Sequence, residues 1–360
     1  MKLNHRIGAG VVAGILSSGA GTLAHAQSSV TLYGIVDTAI LYTSKTSNMA
    51  TGNNSGHQFS MITGGVIPSF FGFKGTEDLG GGWKAIFALE SGYSGADGAL
   101  ANSNGNFFGR QAWVGASGAF GTFKAGLQES PFVHSLILLD PRDASYFGSG
   151  APIVIGDVLA TSVYNSNAIS YTSPTLAGLQ GSVMFAFGGA AGDFQAGRQY
   201  SASVEYRNGP FLVGASMYSG NSGGTAASTP VPSTVPFVGR AIGGSYHLSN
   251  LTLRVLFFST KVAGKFDSRT YSGGFSYLMT PATNVDAGVY YTSDGNDTRN
   301  HSIMAATGLT YYLSKATSLY TQFGYVDNHG RMNTGLSLNG ALYGVSGSTF
   351  GANVGIRHIF

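Results

Sequence analysis

The stretch STFGANVGIRHIF, residues 348–360, decides how the rest of the chain is read. Phe350, Ala352, Val354, Ile356 and Phe360 fall on one parity, with His358 the polar exception, while Thr349, Asn353, Gly355 and Arg357 fall on the other. A period of two marks a strand with one apolar and one polar face. Chain termini are ordinarily polar and frayed, so an aromatic residue closing such a strand needs a reason. A barrel in lipid supplies one. It must pair its last strand with its first, because an open edge leaves backbone groups unsatisfied in hydrocarbon. Phe360 then belongs at the lipid–water boundary, where aromatic girdles form.

The same alternation recurs upstream. VTLYGIVDTAILY (30–42) sets Val30, Leu32, Val36 and Ile40 against Thr31, Tyr33 and Asp37. LQGSVMFAF (179–187), QYSASVEYR (199–207) and NVDAGVYYT (284–292) alternate in the same way. The separators come in two sizes. Short ones such as EDLGGG (77–82), SGAFG (117–121), NGP (208–210) and TPA (280–282) have the chemistry of tight turns. Longer polar or Gly/Ser stretches lie between them, near 44–57, 95–107, 129–163, 189–198, 220–238, 262–267, 294–299 and 328–347. About sixteen strands follow, in hairpins with one short and one long end, as outer-membrane barrels are built.

Composition agrees. Only 10% of residues are charged and Gly numbers 55 of 360, against roughly a quarter charged and about 7% Gly in ordinary soluble domains. Cys is absent, which excludes disulfides, thiolate metal sites and Cys nucleophiles. Residues 1–26 carry Lys2 and Arg6, a small apolar stretch and Ala24-His25-Ala26, the pattern of a cleaved export signal. Cleavage before Gln27 leaves 27–360 as one barrel domain with 17 basic against 16 acidic residues. That balance gives a nucleic-acid partner nothing to bind. After residue 26 no stretch of about 18 apolar residues remains to form a helical span. A large secreted sandwich or β-helix is the soluble alternative, and it leaves the hairpin asymmetry unexplained.

Several segments go beyond a generic barrel. TLYGIVD (31–37), FGFKGTEDLGGGWKAIFALESGY (71–93), FGRQAWVG (108–115), YTSPTLAGLQGSVMFAF (171–187), YYLSKATSLYTQFGYVDN (311–328) and GIRHIF (355–360) resemble the general porins of the neisserial and beta-proteobacterial type. The resemblance implies an all-β fold: a sixteen-stranded antiparallel transmembrane β-barrel, with short periplasmic turns, long outer loops and a third loop folded into the lumen. It further implies a homotrimer in the outer membrane that admits small hydrophilic solutes and ions by passive diffusion. The closing strand is similar to the signal that outer-membrane assembly machinery recognises. No cofactor or metal is implied.

The loop after FKAGLQ (123–128) runs from Glu129 to Val163 and contains SLILLD and PIVIGDVL, too apolar for open water. Folding inward solves that. Asp140, Asp143 and Asp157 are the loop acids that would face the pore. Parity supplies the wall. Phe71 and Phe73 outward put Lys74 inward; Trp83 and Phe87 outward put Lys84 and Glu90 inward; Trp113 outward puts Arg110 inward. Asp37, Lys124, Glu205, Arg207, Arg254, Asp286 and Arg357 also fall on polar faces, where an ordinary solvated lumen residue is the default reading. Arg110 stands apart, since it matches an arginine of the family's basic cluster. Phe70 and Tyr164 stand where family members commonly carry further Arg, which implies a basic side poorer than usual and an aromatic constriction. The expected selectivity is near neutral or slightly cationic.

Other functions find little support in the residues. No G-x-S-x-G, H-E-x-x-H or G-x-x-x-x-G-K-[ST] motif is present, and the His residues after position 26 are scattered without metal-ligand spacing. An enzyme is therefore not expected. An adhesin or receptor would depend on outer loops that are modest in length.

Overall fold

Side-chain alternation sets the direction of each strand. In the computed structural model, which describes residues 29–158, 162–221 and 234–360, Val30, Leu32, Val36 and Ile40 are exposed while Asp37, Ala39 and Leu41 are buried. The last strand, Gly347–Ile359, behaves likewise, with Phe350, Val354 and Ile356 outward and Thr349 and Asn353 buried. Residues 1–26, read above as an export signal, lie outside the described residues.

The strands pair antiparallel with their sequence neighbours, and the wall closes where Ser29–Thr43 meets Gly347–Ile359, with Ile35 opposite Ile359 and Thr43 opposite Gly351. Gly34 and Phe360 exchange both backbone hydrogen bonds, at 3.0 and 3.1 Å. The sheet has seventeen strand segments. Two of them, Gln58–Thr63 and Phe70–Gly80, pair with successive halves of Ser29–Thr43 and make one wall strand broken at residues 64–69. The result is a closed barrel of sixteen antiparallel strands. Its inner turns are short, and the outer connection at residues 263–265, read above among the longer ones, is as short as they are.

The core lies inside the barrel. Strand Gly121–Glu129 leads into the third outer loop, which forms two helices, α1 (Pro131–Leu139) and α2 (Gly150–Val158). Ser130 caps α1 by accepting from Val133 N at 3.2 Å, and Pro131 occupies its first turn. Phe132, Leu136 and Leu139, spaced by four and three, form a helical stripe buried against Leu212, Tyr218, Phe237, Leu256 and Phe258 of the wall. The wall makes room for it: a Cβ at Gly239 would lie 2.7 Å from the Phe132 ring. So the lumen face is apolar where the loop docks, a departure from the simple rule of polar residues inside.

Two further segments turn inward. Residues 64–69, the break in the second wall strand, meet the third loop through Tyr146 N to Val66 O at 2.8 Å. The last outer loop holds a small hairpin, Thr334–Ser337 with Ala341–Tyr343. Gly148 N donates to Leu336 O at 2.7 Å and Leu338 N to Tyr146 O at 2.8 Å, with Leu336 buried beside Phe147. The lumen is narrowed from three directions.

Candidate functional site: the lumen

Between these elements and the wall lies a cavity of about 710 Å³, bounded by Val66, Ile67 and Pro68, by Arg110, by loop residues from Glu129 to Tyr164, and by Asp286, Gln322 and Arg357. A second cavity of about 400 Å³ lies beside α1, against Lys124, Glu205 and Arg207. Glu129 and Ile137 border both.

Arg110, Phe70 and Tyr164 come together. The Arg110 guanidinium sits 4.8 Å from the centre of the Phe70 ring, and its Nη1 donates to Tyr164 Oη at 3.0 Å and to Asn102 O at 3.3 Å. Its Nε lies 3.4 Å from Glu90 Oε2, with both side chains almost wholly buried. Glu90 is itself held by Tyr33 Oη at 2.5 Å and Gln111 Nε2 at 2.9 Å. The charge of Arg110 is therefore matched within the wall.

The route by which parity placed Arg110 needs correction. Trp113 points into the lumen, not to lipid: its Nε1 donates to Gln111 Oε1 at 2.6 Å, and Lys124 Nζ lies 4.4 Å from the centre of its ring. Val114 and Phe123 take the lipid side. Arg110 precedes the strand Gln111–Gly118, so its direction is set by the bend before that strand and not by alternation. Lys124 shares the lumen side with Trp113, Lys74 stacks over Tyr33 and Lys84 stands exposed near the inner rim.

The loop acids divide. Asp140 borders the large cavity yet is only 1% exposed. Its carboxylate accepts from Arg142 N, Ala144 N, Gly150 N and Tyr290 Oη at 2.8–3.0 Å. It ends α1, starts α2 and holds a turn in which Asp143 and Ala144 take positive φ (53° and 51°), a conformation costly for non-Gly residues. Burial pushes this carboxyl up and the four donors pull it down. Asp157 borders a smaller cavity on the far side of α2: it accepts from Thr260 Oγ1 at 2.7 Å, and burial pushes its pKa up to about 6. Asp143 borders the large cavity as well, more openly, and is paired with Arg254 at 2.8 Å. Asp37, on the inner face as expected, is fully covered: backbone N–H groups of Gly65, Val66 and Ile67 donate to it, as does Tyr320 Oη.

Two residues escaped sequence reasoning. Arg142, buried, ties the third loop to the wall through Asp286 Oδ1 at 2.6 Å and Gln322 Oε1 at 2.8 Å, and ties the loop to itself through Phe147 O at 2.6 Å. Its place beside Asp143 in an apolar loop was the available signal. Glu129, opposite Tyr164 in the strand register, borders the large cavity together with Arg110. It was read only as the residue where the loop begins.

A closed sixteen-stranded barrel with apolar side chains outside and a cavity bordered by charged residues within defines a β-barrel membrane channel. Residues 10–331 match the family model described as Gram-negative porin. Over 358 residues the chain is 31% identical to outer membrane porin protein 32 of Delftia acidovorans, covering 94% of this chain and 95% of that one. It is 31% identical to the major outer membrane protein P.IB of Neisseria meningitidis serogroup B over 52% of this chain and 53% of that protein. Among solved structures, an anion-selective porin from Comamonas acidovorans superposes with a TM-score of 0.79 at 27% identity, covering 93% of this chain and all of that one. The chain belongs to the Gram-negative porin family: it is an outer-membrane porin, a channel for small hydrophilic solutes and ions.

Proposed function

We propose that this porin is a weakly selective channel whose narrow zone lies between Arg110, Phe70 and Tyr164 on one side and Asp143 of the third loop on the other. One observation carries this reading: three ion pairs stand around the large cavity, Arg110 with Glu90, Arg142 with Asp286 and Arg254 with Asp143, and beyond them Arg357 stands against Glu129 and the buried Asp140, so neither sign dominates. Selectivity follows the local potential at the narrowest point, where low-dielectric walls focus the field of few charges. Matched pairs leave little field to focus. The Comamonas relative is an anion-selective porin; here Phe70 and Tyr164 pack against Arg110. Val66, Ile67, Pro68 and Ile137 add apolar surface to the same cavity, which favours less polar solutes.

A reversal potential across a planar bilayer in a KCl gradient tests this. Strong anion selectivity would overturn it. Phe70→Arg adds an unmatched cation and should move the potential toward anions, and a channel indifferent to that change would mean Phe70 lies outside the narrow zone. The channel carries no catalytic step on this reading, and swelling of liposomes in sugars at rates falling with solute size is the behaviour expected of passive passage. We also propose cleavage after Ala26, folding through the outer-membrane assembly machinery and association as a homotrimer, as the family resemblance implies. N-terminal sequencing from Gln27 and the mobility of unboiled protein on gels test these.

A further inference from the structure

We infer that His134 makes the channel's ion selectivity depend on pH, an inference that rests on the weakly selective reading above. α1 turns Phe132, Leu136 and Leu139 to the wall and leaves His134 on its free face, bordering the cavity beside the helix with its side chain 60% exposed. The imidazole Nε2 lies 3.8 Å from Glu129 Oε2. Glu129 borders both lumen cavities, so its charge acts on ions in either.

The other histidines among the described residues stand elsewhere. His301 and His329 face each other in the strand register and stack at 4.5 Å, on the same face as the outward Tyr291 and Ile303. His358 is exposed and bonded to Thr317, His247 to Thr252, and His57 packs beside the outward Phe59.

The charged groups around His134 are few. Glu129 precedes its helix, Lys124 stands on the same strand as Glu129, and Glu205 and Arg207 face it across the cavity, paired with each other at 3.2 Å. With a neutral imidazole the two cations and two carboxylates cancel. With a protonated one the sum becomes +1. Histidine is the side chain class that ordinarily changes charge between about pH 5 and 8, and a proton on this imidazole moves the cavity from neutral to positive. A unit charge about 5 Å from a passing ion changes its local concentration by roughly fourfold in water and less in salt. Anions are enriched and cations depleted by the same factor, so the anion-to-cation permeability ratio should rise by its square, about four- to sixteenfold, from pH 8 to pH 5.

The test is the reversal potential of the full-length channel in 0.1 M against 0.3 M KCl at several pH values between 5 and 8, for wild type, His134→Gln, His134→Lys and Asp157→Asn. Wild type should shift toward anions on acidification, His134→Gln should hold level, and His134→Lys should give the acidic value throughout. Asp157 also titrates in this window, so Asp157→Asn should keep the shift. A flat wild type, or a shift surviving in His134→Gln, would overturn the assignment; loss of the shift in Asp157→Asn alone would transfer it to that carboxyl. A wild type strongly anion-selective at pH 8 would sink the weakly selective reading while leaving the pH shift measurable.

Discussion

Replacing Arg110 by Met keeps most of the side-chain volume and removes its charge. Arg110 is 7% exposed and its partner Glu90 is 5% exposed. Breaking a buried ion pair from one side costs about 3–5 kcal/mol, because the surviving charge stays buried without its partner. Glu90 would keep its hydrogen bonds from Tyr33 and Gln111, which offset part of that cost. The contact with the Phe70 ring adds on the order of 1 kcal/mol to the loss. We expect about 3 kcal/mol, read as a lower midpoint for urea unfolding in lipid vesicles. Glu90→Gln in the same chain should restore about 2 kcal/mol, since the amide oxygen still accepts both donors and no charge is stranded. The conductance readout moves in parallel: Arg110→Met leaves Glu90 unmatched and shifts the reversal potential toward cations, and the double variant returns it. If Arg110→Met unfolds within about 1 kcal/mol of wild type, or Glu90→Gln gives no recovery, the pair is not the buried, matched unit described above.

Three further outcomes are expected. Arg142→Ala should release the third loop from Asp286 and Gln322, giving larger single-channel conductance and faster protease cleavage within residues 140–150; unchanged conductance would mean the loop is held by its apolar stripe alone. Val289→Arg, at an outward position 53% exposed, should cost about 2–4 kcal/mol in lipid, whereas Thr310→Arg, bordering the large cavity, should cost less; equal urea midpoints would contradict the orientation of these strands. Phe360→Ala should lower the fraction of heat-modifiable folded barrel, and deletion of Phe360 more so, since it removes both backbone bonds to Gly34. Wild-type levels of folded protein in the deletion would refute the role of that closing contact.

Period-two alternation located the wall well because lipid contact imposes one rule on every strand. It predicts the outward faces of 30–42, 179–187 and 284–292 and the closing strand, while the inward fold of the third loop was legible from the apolar runs SLILLD and PIVIGDVL and from the family resemblance. It could not place side chains whose direction depends on a particular neighbour. Trp113 reads as a lipid-facing aromatic, yet Gln111 and Lys124 make a polar berth for it inside. Asp140 and Asp143 look equivalent in the sequence, and only the turn between α1 and α2 makes one a buried cap and leaves the other's side chain open to the cavity they both border. The inward last loop had a signal in Leu336, Leu338 and Leu342, diluted by the surrounding Gly, Ser and Asn. Arg110, Phe70 and Tyr164 touch one another, though the parity step toward Arg110 rested on a wrong premise.

The break in the second wall strand bears on which changes in length this barrel tolerates. Thr38 faces Thr63 and Ile35 faces Phe70, so three steps along one strand are matched by seven along its neighbour. The excess of four is even, and Met61 before the break and Phe73 after it both point to lipid. An odd excess passed on to the strand would exchange its two faces, carrying Lys74 into hydrocarbon. Insertions or deletions of two residues within 64–69 therefore leave the outer surface intact whether or not the segment absorbs them. A change of one residue is harmless only if the segment takes it up entirely, at the expense of the backbone donors that Asp37 gathers from Gly65, Val66 and Ile67.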